Sequence, residues 1–540
     1  MNRRQFLSAT ASLAAVSALC ASDADGVDAG GSPMSSPLRT GEPYELVGKR
    51  LVFTNWFYVR PGSFGWYDKN GNNVTVGGSA ALGEAAMRRT NCPTGIRLVA
   101  QKAERRGPVL KSEKPWENSK GISFSTVMRD GGRYRAWAAD CYYESRDGLT
   151  WERPDLRIVE RDGSRANNLI DLNTTGGTVF RDPSAPQSER YKWVGTETIS
   201  REEYDAFRQR RPDAWEPRAD RTDVGQIFAL GGAVSPDGLR WTKLPEPLAV
   251  EHSDTHVTAY YDERLRRYVI YTRNYMIGPT AESFHDDRFR VWWDQGRRSI
   301  GRTESADFRE FPLSEVILVP TPDMEPSDLL YTNCRTTIPG APDLHLMFPA
   351  IWHAAVADTT SIALASSHDG KVWQFVPGPS VLETAKLGEW DGGCVFTGPN
   401  LIELPNGDFA LPYTGYVFPH KYPRGQLAFA GGYAIWPNGR LIALEARKKG
   451  EFATAVLMPP GSRMRINAVA RAGGSIRIEV ADFDGNAFPG RSFDDSAPVT
   501  GDQYRTTVAW KSGDDLGHGG KPFMLRFRMD RAQIFGLDFE

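Results

Sequence analysis

Acidic residues just ahead of predicted β-strands are the best candidates for chemistry in this chain. Asp254 precedes one such strand, and Glu389 and Asp391 flank Trp390 ahead of a later one. Crowding raises the pKa of one carboxyl group, which can then donate a proton, while an ionised neighbour acts as base or nucleophile. We predict Asp254 as base or nucleophile and Glu389 as acid, or the reverse, with Asp391 orienting Glu389 or raising its pKa.

Further polar and aromatic residues stand near comparable strand ends and are predicted to bind a substrate: Trp116, Glu117, His256, Asp328, Arg335, His353, Trp390 and His420. Three of these are histidines, which together with carboxylates could hold a divalent metal. No two share a ligand spacing such as His-x-x-x-His, so hydroxyl-binding or structural roles are favoured. We therefore expect no cofactor, with a divalent cation as the open alternative.

The elements that must position these residues are organised by a repeated turn. The segment from Ser145 to Trp151 reads Ser-Arg-Asp-Gly-Leu-Thr-Trp, and the pattern Ser-x-Asp-Gly-x-x-Trp returns at Ser235 and Ser367. Asp307 belongs to a looser copy, and Asn438 marks a candidate fifth. In such a turn Gly supplies positive φ and the Asp side chain accepts hydrogen bonds from nearby backbone amides. The repeat spacing suits a four-stranded propeller blade with loops.

Pairs of predicted strands recur in phase with these turns. They are Ser125–Asp130 with Arg133–Trp137, Thr178–Asp182 with Arg190–Val194, Thr258–Asp262 with Arg267–Tyr271, Arg335–Pro339 with His345–Phe348, and Asn400–Leu404 with Asp408–Tyr413. The sequence therefore predicts an all-β protein with a five-bladed β-propeller over residues 45–445. The apolar segment Arg50–Val59 is predicted to complete the last blade. Since innermost strands of a propeller surround a channel, the candidate carboxylates are expected to meet at its rim.

The spacing of predicted strands and turns changes after the fifth blade. Alternating strands separated by turns such as Asp484-Gly485 continue to the end of the chain. This pattern predicts a β-sandwich over residues 446–540.

A five-bladed propeller followed by a β-sandwich resembles the invertase and arabinanase class of propeller glycosidases, and the repeated turn also resembles the Asp-box of sialidases. The resemblance implies a glycoside hydrolase that acts on a carbohydrate through carboxylates at the channel rim. The invertase-type Asn-Asp-Pro-Asn-Gly motif is absent from blade one. Arg181-Asp182-Pro183 looks like a second motif of that class, but alignment with the other blades predicts Asp182 to be a turn residue.

Three alternatives stay open. A sialidase-like or polyanion-degrading enzyme needs an arginine cluster; Arg273 and Arg335 are available, but a third arginine is not identifiable. A non-catalytic carbohydrate-binding propeller would use the same rim without a proton donor. A polysaccharide lyase would use a His/Tyr or Lys base instead of a carboxylate pair.

Composition and the N-terminus bear on location. The formal net charge of −2 gives no electrostatic argument for binding nucleic acid. Arg3 and Arg4 precede a short apolar run that is too brief to span a bilayer and resembles a twin-arginine signal over residues 1–25. Residues 26–44 are predicted to be a flexible linker and the mature protein to be periplasmic or secreted.

The cysteines at 92, 141, 334 and 394 match no metal pattern and are expected to be buried free thiols.

Overall fold

Short stretches rich in β-branched and aromatic residues form antiparallel strands through most of the chain. The computed structural model describes residues 41–69, 86–221, 225–278, 296–423 and 425–540. Within these ranges there is one α-helix, Arg201–Arg210, and three short 3₁₀ turns, Gln187–Glu189, Pro217–Ala219 and Pro437–Gly439. The protein is therefore nearly all-β, as the sequence predicts.

Three antiparallel sheets follow one another in the first half of the chain. Sheet 1 contains Thr126–Asp130, Arg133–Ala138 and Cys141–Ser145. Sheet 2 contains Thr178–Arg181, Tyr191–Ile199, Asp220–Arg221, Gln226–Ser235 and Thr242–Lys243. Sheet 3 contains Thr258–Asp262, Arg267–Met276, Arg297–Ser305 and Glu315–Leu318. The predicted strand pairs in these regions are confirmed as hairpin partners.

The next two strand groups are less regular. The fourth group consists of two four-stranded sheets, one of Asp328–Thr332, Ala350–His353, Thr359–Ile362 and Leu382–Glu383, the other of Arg335–Ile338, Ala341–Met347, Ala365–Ser367 and Gln374–Phe375. Sheet 5 combines Cys394–Thr397, Ile402–Glu403, Phe409–Tyr416 and Phe429–Trp436 with the earlier strands Glu104–Leu110 and Gly121–Ile122. An N-terminal segment thus extends the last sheet.

Buried apolar clusters join these five groups in cyclic order. Sheets 1 and 2 share a cluster with Trp137 and Trp193, and sheets 2 and 3 share one with Phe180 and Ile270. A third cluster joins sheet 3 to the fourth group through Tyr271 and Met347. A fourth contains Leu346 of the fourth group and Val395 of sheet 5, and a fifth contains Tyr433 of sheet 5 and Val127 of sheet 1. Each group therefore packs on the next, and the fifth packs on the first.

The repeated turn has the hydrogen bonding that its sequence predicts. In the second copy the Ser235 hydroxyl accepts from the Gly238 amide at 2.8 Å, and Asp237 Oδ1 accepts from the amides of Leu239 at 2.8 Å and Arg240 at 3.0 Å. The copies at Ser145 and Ser367 repeat these contacts. Asn438 does not, because its amide donates to Asp408 in a different turn. Asp182 is a buried turn residue, as expected, and accepts from the Ser184 amide and the Tyr268 hydroxyl.

The C-terminal region forms one sheet that recruits strands from the N-terminal side. Its strands are Arg50–Leu51, Arg97–Ala100, Ile442–Ala453, Met464–Ala481, Gly501–Thr507 and Met524–Phe539. Its first long strand begins at Ile442, slightly before the predicted boundary at 446. Its arrangement as a sandwich stays a prediction.

The prediction that Arg50–Val59 completes the last blade is wrong. Only Arg50–Leu51 is a strand, and it pairs with Leu537 and Asp538 in the C-terminal sheet. Leu51 and Phe53 are buried in the apolar cluster that also contains Phe452 and Phe527. Glu104–Leu110 takes the predicted place beside Phe429–Trp436. The start of this apolar segment therefore pairs with the C-terminal sheet and not with the last blade. Either sheet could bury an apolar strand, so its sequence does not distinguish between them.

Two small sheets complete the described structure: Tyr44–Glu45 pairs with Leu457–Met458, and Ser63–Tyr67 pairs with Ala86–Thr90. Residues from Glu42 to Glu540 belong to one compact unit. All four described cysteines are free, and three of them, at 141, 334 and 394, are buried. Among the described residues, no helix is long and apolar enough to cross a membrane. The twin-arginine segment lies outside the described residues.

Candidate functional site

A cavity of about 590 Å³ lies where several strand groups meet. Its wall includes Ser123 before sheet 1, Gly176 before sheet 2, Asp254 before sheet 3, Tyr331 in the fourth group and Tyr416 in sheet 5. Each strand group thus contributes wall residues. They lie in a strand of the group or in the segment that leads into its first strand. The volume is in the range of small-molecule sites.

Buried anchors place Asp254 at the cavity. Residues Glu251, His252 and Ser253 are buried, and the Ser253 carbonyl accepts a hydrogen bond from the Thr196 hydroxyl at 2.5 Å. The Ser253 hydroxyl accepts from the Arg273 amide at 3.2 Å. The chain therefore emerges from the interior at Asp254, whose side chain is 30% exposed.

Arg273 is the principal partner of Asp254. Its Nη1 donates to Asp254 Oδ1, and its Nη2 donates to the Thr255 hydroxyl at 2.5 Å and the Tyr331 carbonyl at 3.0 Å. Burial of Asp254 raises the pKa of its carboxyl group, but the positive charges around it, Arg273 first among them, together outweigh this effect and leave the pKa below 3.8. Asp254 is therefore ionised at neutral pH, which suits a base or nucleophile and not an acid.

Cations surround the ring of Tyr331. The guanidinium carbon of Arg273 lies 4.1 Å from the ring centroid, that of Arg298 lies 5.2 Å away, and Lys421 Nζ lies 5.8 Å away. Both Arg298 and Lys421 also lower the pKa of Asp254. These three basic residues with Tyr331 are hereafter the cationic cluster. Arg273 was named from sequence as an available arginine, whereas Arg298 and Lys421 were not. Arg298 lies in a strand that the sequence interpretation did not identify.

A loop held by Asp358 carries Lys421 and His420. Asp358 Oδ2 accepts from the amides of Lys421 at 2.6 Å and Tyr422 at 3.0 Å, while its Oδ1 accepts from Trp352 Nε1 at 2.9 Å. His420 lines the cavity with its ring 4.4 Å from that of Tyr331. Burial, then the neighbouring Lys421, lower the pKa of His420 to about 3, so its imidazole is neutral at pH 7. His256 also lines the cavity, and burial lowers its pKa to about 4.

The structure does not bring the predicted acid pair to Asp254. Glu389 is exposed and does not line the cavity. Asp391 is fully buried, where its Oδ2 accepts from the Tyr413 hydroxyl at 2.8 Å and lies 3.5 Å from Arg105 Nε. Among the described residues that line the cavity, Asp254 is the only carboxylate. The expected convergence of Asp254, Glu389 and Asp391 is therefore absent from the described geometry.

Trp390 is a packing residue instead of a cavity wall. Its ring stacks on Tyr413 with centroids 5.4 Å apart. An added Cβ at Gly415 or Gly432 would lie 2.4 Å or 2.6 Å from the indole, so glycine makes room for this ring. A sugar platform at Trp390 is not supported.

Other predicted binding residues have internal partners. Glu117 is buried, accepts from the Tyr143 hydroxyl at 2.7 Å and pairs with Arg153 at 2.7 Å. Trp116 Nε1 donates to Asn168 at 2.8 Å. Glu117 and Trp116 therefore stabilise the region beside sheet 1, and neither lines the cavity.

Arg335, Asp328 and His353 also bind within the protein. The Arg335 guanidinium lies 3.3 Å from the Tyr260 ring centroid and 2.5 Å from His345 Nδ1. His353 Nδ1 lies 2.9 Å from Asp328 Oδ1, and its Nε2 lies 2.9 Å from the Ser361 hydroxyl. None of the three lines the cavity. No group of three or more His, Cys, Asp or Glu side chains in the described parts of the chain could hold a metal ion.

Comparison with known proteins gives structural but not sequence matches. No family model and no curated protein matches the chain. Solved structures similar to it include a glycoside hydrolase at 14% identity, which covers 62% of this chain and 92% of that chain with a TM-score of 0.39. An α-L-arabinofuranosidase from Podospora anserina matches at 12% identity over 62% and 96% of the two chains with a TM-score of 0.36.

A family-32 β-fructofuranosidase of Bombyx mori is 9% identical over 83% of this chain and 94% of that chain, with a TM-score of 0.33. The solved structures similar to this chain thus include glycosidases, the class that the sequence resemblance names. No residue role is transferred from these proteins.

Proposed function

We propose that the protein acts on a glycan, as a glycoside hydrolase, in the cavity bounded by Asp254 and Tyr331. The observation that carries this proposal is a cavity of about 590 Å³ in which an ionised carboxylate stands among aromatic side chains. Phe124, Phe396 and Tyr416 contribute apolar surface to the wall. Apolar walls with a few placed polar groups are typical of small-molecule sites.

The proposed architecture is a five-bladed propeller with the cavity at one end of its channel. Two observations support it: five strand groups share apolar clusters in cyclic order, and each group contributes residues to the cavity wall. The repeated turns also join neighbouring groups. Trp137 Nε1 of sheet 1 donates to the Gly238 carbonyl at 2.7 Å, and the Tyr271 hydroxyl of sheet 3 donates to the Gly370 carbonyl at 2.6 Å.

In a hydrolytic reaction Asp254 would act as base or nucleophile. Its ionised state follows from the combined positive charge of Arg273 and its neighbours, and its side chain is partly exposed. Glycoside hydrolysis also needs a proton donor to the leaving oxygen. Glu389 does not have the geometry for that role, since it lies outside the cavity wall.

A non-catalytic glycan-binding role is the second candidate. One observation favours it: Asp254 has no second carboxylate beside it among the described lining residues. A binding protein needs no proton donor. Cleavage of a bound glycan separates the two functions.

The test is a glycan-binding screen followed by product analysis. We expect the purified mature protein to bind at least one oligosaccharide and to release a shorter product from it. A bulky change at an exposed wall residue, Thr175→Trp, should abolish binding, with circular dichroism reporting on the fold. Binding without product in prolonged incubations would establish the second candidate. Absence of binding to any glycan would contradict both.

A further inference from the structure

We propose that the cavity selects a glycan that carries an anionic substituent, a carboxylate or a sulfate ester. Lys421 on the cavity wall binds this group, and Arg298, which lies against Tyr331 but not on the wall, adds positive charge beside it. The inference rests on the proposed glycan-binding function and specifies the class of glycan. It arises from the charges and contacts around Tyr331.

Two cations near the cavity, Arg298 and Lys421, lack a direct ion pair among the described residues. Arg273 is already paired with Asp254. The neighbouring His420 adds no compensating negative charge. The nearby Asp358 carboxylate accepts from the amides of Lys421 and Tyr422 and from Trp352 Nε1 but forms no salt bridge with either cation in the described structure.

The Arg298 guanidinium is held by aromatic rings but lacks hydrogen-bond acceptors at its Nε among the described residues. Its carbon lies 5.2 Å from the Tyr331 centroid and 5.1 Å from that of Trp352, so two aromatic rings hold it. Aromatic faces attract the cation but do not replace hydrogen-bond acceptors. Its Nε is buried and has no hydrogen-bond partner in the described structure. A buried donor that lacks a partner is energetically costly, so an acceptor that approached this position would be stabilising.

The other groups at this position fit the same ligand. His420 Nε2 is also buried without a partner, beside Lys421 on the loop held by Asp358. An anion placed near Arg298 would accept charge-assisted hydrogen bonds, which are stronger than those between neutral groups. Lys120, on the wall contributed by the segment before sheet 1, adds a further positive charge. A neutral sugar would leave these charges uncompensated.

The matched control for Arg298 is its neighbour Arg297. Successive residues of a strand point to opposite faces. Arg297 Nη2 donates to the Glu325 carbonyl at 3.1 Å and to the Pro326 carbonyl, away from Tyr331. Arg298→Met and Arg297→Met remove the same charge from adjacent positions, and only the first touches the cationic cluster.

The experiment compares acidic glycans with neutral counterparts. A panel of uronate-containing and sulfated oligosaccharides is tested beside the same oligosaccharides after carboxyl reduction or desulfation, with dissociation constants measured by calorimetry. We expect at least one acidic member to bind tenfold or more tightly than its neutral counterpart, and its identity tells carboxylate from sulfate. We expect Lys421→Met, which removes the charge on the wall, to abolish most of that preference, Arg298→Met to lower it, and Arg297→Met to retain it.

The outcomes separate this inference from the proposed function. If neutral counterparts bind as tightly as acidic members, the anion inference is wrong while glycan binding stands. If no member of either kind binds, both proposals fail. If an acidic glycan is preferred but Lys421→Met or Arg298→Met binds it like the wild type, the assignment to that residue is wrong.

Discussion

Arg273 pairs with Asp254 while its guanidinium carbon lies 4.1 Å from the ring centroid of Tyr331. One buried arginine thus joins the carboxylate before sheet 3 to an aromatic residue of the fourth strand group. The pair makes the largest contribution to keeping Asp254 ionised, and Arg298 and Lys421, which lie against the same Tyr331 ring, add to it. The first prediction concerns the chemistry that this arrangement permits.

We expect Asp254→Asn to lower turnover of a cleaved glycan by about 10²-fold or more, because it removes base or nucleophilic assistance. Glycan affinity should change much less. The amide keeps an oxygen that can accept from Arg273, so the fold should survive. Steady-state kinetics and thermal unfolding measure both effects. Glu389→Gln is the matched control, since this exposed carboxylate lies outside the cavity. Near-normal turnover by Asp254→Asn would refute the assignment.

Asp358 is expected to act on the site by positioning a loop. Asp358→Ala removes the acceptor for the amides of Lys421 and Tyr422, so the loop should lose its fixed position. We expect glycan affinity to fall about tenfold, equivalent to one net hydrogen bond. Asp358 has a positive φ of 55°, which asparagine tolerates, so Asp358→Asn should retain more affinity. Equal affinity in wild type and alanine variant would show that the loop needs no such anchor.

The repeated turn is expected to contribute stability and not chemistry. Asp237→Ala removes the acceptor for two backbone amides and should cost about 1–2 kcal/mol in the free energy of unfolding, as for a lost helix cap. In the looser copy, Asp307 Oδ1 accepts only from the Arg309 amide, so Asp307→Ala should cost less. Denaturant unfolding measures both. Loss of activity without loss of stability would mean that the turn belongs to the site.

Glu251 should give stability a pH dependence. Burial, then the neighbouring Glu216 carboxylate, raise the pKa of Glu251 to about 7 from 4.5. The folded state therefore holds this proton above the pH at which the unfolded chain releases it, and its contribution to stability falls as pH rises from 4.5 through 7. Glu251→Gln should gain roughly 2–3 kcal/mol relative to wild type between pH 5 and pH 8.

The comparison between Glu251→Gln and wild type is needed because His252 titrates in the opposite sense. Burial lowers the pKa of His252 to about 4, and its contribution to stability rises with pH. This term is shared by both proteins and cancels in their difference. Urea unfolding at the two pH values provides the measurement. A difference that does not change with pH would contradict the raised pKa of Glu251.

We propose export through the twin-arginine route, which Arg3 and Arg4 indicate. Replacing both by lysine should leave the protein folded in the cytoplasm, since this route carries folded cargo. Cell fractionation with an antibody to the mature chain measures the distribution. Export of the double variant at the wild-type level would exclude this route.

The sequence by itself determined the local elements. The turns at Ser145, Ser235 and Ser367 need only residues two or three positions apart, so their Ser, Asp and Gly spacing was sufficient. The hairpins followed from alternating residues beside those turns. Asp254, predicted ahead of the strand that begins at Thr258, lies at the cavity, while its catalytic role stays a prediction. His256 and His420 were placed at the cavity for the same reason, near strand ends.

Tertiary structure alone decided the long-range partners. Arg50–Leu51 pairs with residues almost 500 positions later, and no local pattern distinguishes that sheet from the last blade. Asp391 and Glu389 are neighbours in sequence, yet one is buried against Tyr413 and the other is exposed. Arg298 joins Tyr331 across two strand groups. Such contacts depend on how the sheets pack and which side chains they bury. Burial and charge pairing between distant segments then set the protonation states of the site residues.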